Sequence, residues 1–218
     1  MQRLLKYEYW FLLPLLLSAV LGLRSFWQKW PKQYRWFAVL LIISFLTEAL
    51  AISWKWYLHN QYSKNNLWIY NIFITIRLAL LLVIFYQTLQ TAWMKKMIQY
   101  AGPVLVIFGI LNYAFIQGPF QYNTYSMVFA HASIIILCFC YFKQCLDETS
   151  AIVFYKEPMA WMATGTFIYH AGSLPFLVVL NILDVQQSGL AMLSLPIHMT
   201  VNLLMCFFYL ISFLCKPQ

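Results

Sequence analysis

Seven apolar stretches occupy this chain almost end to end, at roughly 7–24, 36–56, 67–90, 97–116, 124–146, 160–183 and 190–214. Each is close to the length of about 20 residues that a helix needs to cross the hydrocarbon core of a bilayer. Within lipid, every backbone N–H and C=O must be satisfied inside the segment, which leaves helices as the solution for runs of this kind. The expected fold class is therefore all-α: a polytopic membrane protein with seven transmembrane helices. Short connections leave no room between the spans for a soluble domain, so residues 1–218 read as a single seven-helix transmembrane domain. The first run follows Arg3 and Lys6 in the manner of a secretory leader. It ends at Arg24 without a small-x-small cleavage site and is read as the first span.

Composition agrees. Charged residues make up 9% of the chain, against about 25% in a soluble domain, and hydrophobic residues 63%. The net charge of +8 raises the question of nucleic acid. The basic residues instead sit in short loops beside apolar spans, where they orient a protein and meet lipid head groups. The lipid bilayer is the expected partner and nucleic acid is not. With the N-terminus outside, the inner segments hold Arg24, Lys29, Lys32, Arg35, Lys95, Lys96, Lys143, Lys156 and Lys216, and the outer ones Arg3, Lys6, Lys55 and Lys64. Positive charge concentrates on the cytoplasmic side, so the chain is expected to run N-outside, C-inside in a cell membrane. Cys138, Cys140, Cys145, Cys206 and Cys215 form no CxxC pair and read as buried free thiols.

The polar residues inside the spans carry the functional content. An ionisable group in hydrocarbon is costly unless it is paired or lines a cavity. Counting about 1.5 Å of rise per residue from the outer boundary puts Asn71 about 6 Å deep and His131 and His198 about 10 Å. Glu48 comes at about 12 Å, Arg77 at about 15 Å, Asn202 at about 16 Å and His170 at about 20 Å. These residues come from five spans and share one slab. Either they line an outward-facing polar pocket or each bonds a neighbouring helix. Helical phase puts Asn71 and Thr75 on one face of the third span, and His198, Asn202 and Tyr209 on one stripe of the seventh. Arg77 points instead with Tyr70 and Phe73. The candidate ligand-binding set is Glu48, Asn71, Thr75, Arg77, His131, His170, His198, Asn202 and Tyr209, with a mutual Glu48–Arg77 ion pair as the simplest expectation.

No catalytic residue, metal or cofactor is expected. The chain holds no GxSxG elbow, Gly-rich phosphate loop or HExxH. Seven-helix ceramidase and adiponectin-receptor-like hydrolases hold zinc with intramembrane histidines, including one on the second helix and HxxxH on the seventh. Here the second span has Glu48, and His198 is followed by Asn202. Asp147, Glu148 and Glu157 read as a solvated face or a partner contact. Trp161, Gly165 and Gly172 share a face of the sixth span, the pattern of a close helix–helix contact.

Glu48 within SFLTEAL, NNLWIYNIF at 65–73, WMATGTFIYHAG at 161–172 and IHMTVNLLMCFFYL at 197–210 resemble a family of uncharacterised seven-helix membrane proteins of Bacteroidota. Members of that family are often encoded beside sensor histidine kinases. The resemblance implies a sensory or accessory role, a bacterial inner-membrane location and a sensor kinase or other membrane partner. The position of Asn71 is commonly His in that family, so this chain departs from it there. Spans two and three also echo spans six and seven, with Asn71 and Thr75 matching His198 and Asn202. A three-plus-one-plus-three plan of this kind resembles sugar-efflux and opsin-like folds, in which two polar faces converge on a central site. Three readings result. The leading one is a receptor-like or accessory module that binds a small ligand, lipid or partner helix and signals to a separate partner. The others are a small-molecule transporter of 3+1+3 type and an intramembrane His/Glu enzyme.

Overall fold

The computed structural model describes residues 10–54, 66–148, 155–183 and 190–217, with side chains left out at 148, 176, 178–183 and 190–195. Among the described residues there are seven helices: α1 (Leu12–Trp27), α2 (Lys32–Ser53), α3 (Leu67–Thr88), α4 (Ala92–Leu111), α5 (Thr124–Glu148), α6 (Pro158–Leu183) and α7 (Leu190–Leu214). Their bounds follow the apolar runs closely. Among the described residues, five segments are long and apolar enough to cross a membrane: α2, α3, α4 with the turn that follows it, α5 over Thr124–Asp147, and Pro196–Leu214 of α7. Helix α1 is apolar but shorter, at 16 residues. Arg3, Lys6, Lys55 and Lys64, on which the outer charge count rests, lie outside the described residues, as does the side chain of Asn181.

The surface is that of a membrane protein. Leu13, Val20, Leu46, Val104, Ile107, Phe129, Phe139, Phe207 and Leu214 are all exposed, while Asn71, Asn112, His131, Thr166 and His170 are buried. A water-soluble fold cannot tolerate so broad an apolar exterior, whereas lipid is as apolar as those side chains.

Close packing joins α1 to α2, α2 to α3, α3 to α5, α5 to α6, α6 to α7, and α7 back to α1. Six helices therefore close a ring, and α4 stands beside it against α3 and α5. None of the closely packed pairs joins α3 to α6 or α7, so only long side chains meet across the centre.

Local chemistry explains the joints. The α1–α2 turn closes a Schellman motif: Trp30 N–H donates to Ser25 O at 2.9 Å and Lys29 N–H to Phe26 O at 3.3 Å, with Lys29 left-handed at φ 54°. Asn66 starts α3 and turns its side-chain amide onto Ala51 O at 3.2 Å, satisfying a terminal carbonyl of α2. Gln144 Oε1 accepts from Gln90 N–H at 2.8 Å, fixing the short α3–α4 link to α5. Helix α4 ends in a wide turn over Asn112–Ile116, closed by Gln117 N–H to Asn112 O at 3.0 Å.

Gly165 and Gly172 do make the close contact expected of them, and it is with α7. A Cβ on Gly165 would stand 2.8 Å from Phe208 Cβ, and one on Gly172 would stand 2.7 Å from Val201 Cγ1. Trp161 stacks on Phe208 with ring centroids 5.8 Å apart. Below the ring centre the core is aromatic and tight: Phe37 meets Tyr209 edge-on at 4.8 Å, and Trp30 stacks on Phe213 at 6.2 Å. Glu157 does not form a free acidic face with Asp147, because its carboxylate accepts a hydrogen bond from Tyr34 Oη.

Candidate polar site at the ring centre

Arg77 projects from α3 into the gap between α3, α6 and α7. Its guanidinium lies over the Tyr169 ring, with Cζ 4.3 Å from the centroid, and Nη2 donates to Met205 Sδ at 3.1 Å. A thioether is a weak acceptor, and a guanidinium has several N–H donors and no acceptor. Arg77 is half-buried rather than sealed.

The expected Glu48–Arg77 ion pair is not formed. Glu48 accepts a hydrogen bond from Tyr70 Oη at 2.9 Å, while Arg77 takes Tyr169 and Met205. The reason is height along the helix. Tyr70 and Arg77 are seven residues apart on α3 and so lie nearly in line. Tyr70 sits about 10 Å nearer the start of the helix, facing the late part of α2 that bears Glu48. The two charges remain close enough to interact electrostatically.

Tyr169 is the hub of the cluster. Its ring centroid lies 5.8 Å from that of His131 on α5, 5.1 Å from that of its neighbour His170, and 5.7 Å from that of His198 on α7. The His131 and His170 rings are themselves 4.4 Å apart, edge to face. Depth counting had separated them by about 10 Å. It fails because counting assumes that every helix starts at the same level, whereas residue number along one helix does not report the height at which it packs against the next.

His131 Nδ1 lies 3.3 Å from His170 O. A carbonyl only accepts, so this contact places the proton on Nδ1 and leaves Nε2 as an acceptor in the neutral ring. His170 is buried, and among the described residues neither of its ring nitrogens has a hydrogen-bond partner. Asn202 Nδ2 approaches His198 Nε2 at 3.5 Å along α7. Arg77 interacts electrostatically with all three histidines. Among the described residues, no three His, Cys, Asp or Glu side chains gather closely enough to hold a metal ion. A guanidinium in the same cluster also opposes a divalent cation.

Three members of the expected set lie elsewhere. Asn71 donates to Pro119 O at 3.1 Å and Gln121 O at 2.7 Å, and its Oδ1 accepts from Asn123 N–H at 3.4 Å. It therefore clamps the α4–α5 loop and does not face the ring. Thr75 turns to α4, where its Oγ1 lies 3.0 Å from the place a Cβ on Gly109 would take. The faces of Asn71/Thr75 and His198/Asn202 thus do not converge. Tyr209 shares a hydrogen bond of 2.9 Å with Thr166, a link between α6 and α7.

Tyr169, Tyr70 and Met205 belong to the site and are absent from the residues expected to form it. The available signal was phase: Tyr70 shares a face with Arg77, and Tyr169 directly precedes His170 in FIYHAG. Comparison with known proteins gives no matching family model, curated protein or solved structure.

Proposed function

We propose that this chain is a receptor-like or accessory membrane module whose ligand site is the Arg77–Tyr169–histidine cluster. The observation that carries this reading is His170. Buried polar groups are nearly always hydrogen-bonded, and a bound water, ion or small molecule can complete one that is not. Here, among the described residues, two nitrogens of one buried ring lack a hydrogen-bond partner, in the same cluster as an arginine that faces a thioether and an aromatic ring. The cluster faces the ring centre, which favours a small molecule over a partner helix. All seven helices would cross the membrane, N-outside and C-inside, in a bacterial inner membrane, and a sensor kinase or similar protein would receive the signal.

A folded protein that carries a non-lipid small molecule through purification, detected by native mass spectrometry and lost in both Arg77→Met and His170→Phe, is the expected result. A mass profile identical in all three proteins counts against the site. A cytoplasm-active reporter fused after Gln218 should be active; an inactive fusion at good expression reverses the orientation.

The transporter reading has one observation in its favour. Among the described residues helix α4 packs most closely against α3 and α5, outside the ring, so it lies between α1–α3 and α5–α7 in sequence as the peripheral helix of a 3+1+3 plan would. Substrate-dependent flux in proteoliposomes would favour it.

A further inference from the structure

We propose, building on that reading, that the cluster binds a small organic carboxylate, with Arg77 as the ligand to its charge. Three observations lead to the class of ligand. Arg77 has no carboxylate at ion-pair distance among the described residues, since Glu48 is engaged by Tyr70 and Arg77 by Met205 and Tyr169. A half-buried cation held by a thioether and an aromatic ring lacks an anionic partner, and a fork-shaped guanidinium matches a planar carboxylate through two parallel hydrogen bonds. Second, among the described residues the imidazole N–H of His170 has no acceptor, so it is free to donate to a ligand oxygen. Third, the side chains gathered around Arg77 and Tyr169 are soft and aromatic: His131, His198 and Met205. Such side chains suit the apolar body of an organic acid. A phosphate, with more charge to desolvate and few other donors in view, fits them poorly. A cation is opposed by Arg77 itself.

The test uses the unmodified protein. Phenylglyoxal modifies accessible guanidinium groups, and peptide mass mapping reports each arginine separately, with exposed Arg24 as the internal reference. The probes are straight-chain monocarboxylates from acetate to octanoate, the matched primary amides, and inorganic phosphate. Carboxylates should slow modification of Arg77 at least tenfold at saturation and leave Arg24 unchanged, while amides and phosphate protect neither. The same carboxylates should raise the melting temperature of the wild type but not of Arg77→Met. Equal protection by amides, or protection by phosphate alone, overturns the carboxylate assignment. Arg77 that reacts freely and is protected by no probe overturns it while leaving an accessible site for another ligand. If Arg77 does not react while Arg24 does, the cluster is sealed, and both the carboxylate and the underlying ligand site are wrong.

Discussion

Helix α3 carries two polar clusters that differ in one respect, the saturation of their hydrogen bonds. Around Asn71 lies a dense network. Asn71 holds two loop carbonyls and one loop N–H, Asn112 Nδ2 donates to Gln117 Oε1 at 2.9 Å and Ser126 Oγ at 2.7 Å, and Gln117 Nε2 donates to Thr124 Oγ1 at 2.9 Å. Two carbonyl oxygens there, of Asn112 and Asn123, lack partners. Six residues further along α3, about 9 Å on and about 120° round, Arg77 enters a cluster with few bonds and a histidine that, among the described residues, makes none through its ring. The first cluster shapes the end of α4 and the loop into α5. The second joins α3, α5, α6 and α7 mainly through ring and cation contacts, with few hydrogen bonds. Polar groups buried without hydrogen bonds are the ones a ligand can complete.

Substitutions should separate the two clusters. The largest effect belongs to Asn71→Ala, which strips partners from Pro119 O, Gln121 O and Asn123 N–H. At about 1 kcal/mol per bond, with added cost for groups left buried, the loss is about 2–4 kcal/mol. Melting in detergent should show it as a clear drop; a melting temperature within error of the wild type would mean the loop does not depend on the clamp. Asn112→Ala removes two bonds at the wide turn and should cost about 1–3 kcal/mol in the same assay.

The other cluster should respond with opposite sign. His170→Phe replaces an unpartnered polar ring with an apolar one of similar shape, and should be neutral or stabilising by about 1 kcal/mol in the ligand-free protein. A loss comparable to that of Asn71→Ala would place His170 among the structural residues. The smallest effect is the coupling between Glu48 and Arg77. A buried ion pair in contact would make the single changes cost about 3–5 kcal/mol and the double change far less. Because each residue has its own partner, a thermal-stability cycle of Glu48→Gln and Arg77→Met should return a coupling below about 1 kcal/mol. A larger value would show that the two charges meet in solution.

Much of the fold was legible because its cause is one-dimensional. Runs of apolar residues near bilayer length specify helices whatever their neighbours, and the observed bounds at 67, 124 and 214 coincide with the runs. Phase on a single helix was equally readable: it separated Arg77 from Asn71 and Thr75, and it foretold the α6 contact face at Gly165 and Gly172. The site was legible only in part. Arg77, His131, His170 and His198 do gather, and Glu48 stands near, but Asn71, Thr75 and Tyr209 belong to packing, and Tyr169 and Met205 were overlooked because an aromatic ring or thioether in an apolar run carries no charge to mark it.

By itself the sequence determined that this chain is an all-helical membrane protein with a small set of ionisable groups inside its spans. Both follow from transfer energies that act residue by residue. Only the tertiary structure decided which of those groups meet. The order of helices around the ring, the height at which each packs against the next and the direction of each long side chain choose the partners. They put Glu48 on Tyr70, laid Arg77 over Tyr169, and left both ring nitrogens of buried His170 without a hydrogen-bond partner among the described residues. A contact depends on the relative placement of two helices, and that placement is a property of the whole packed bundle, which no single stretch of chain encodes.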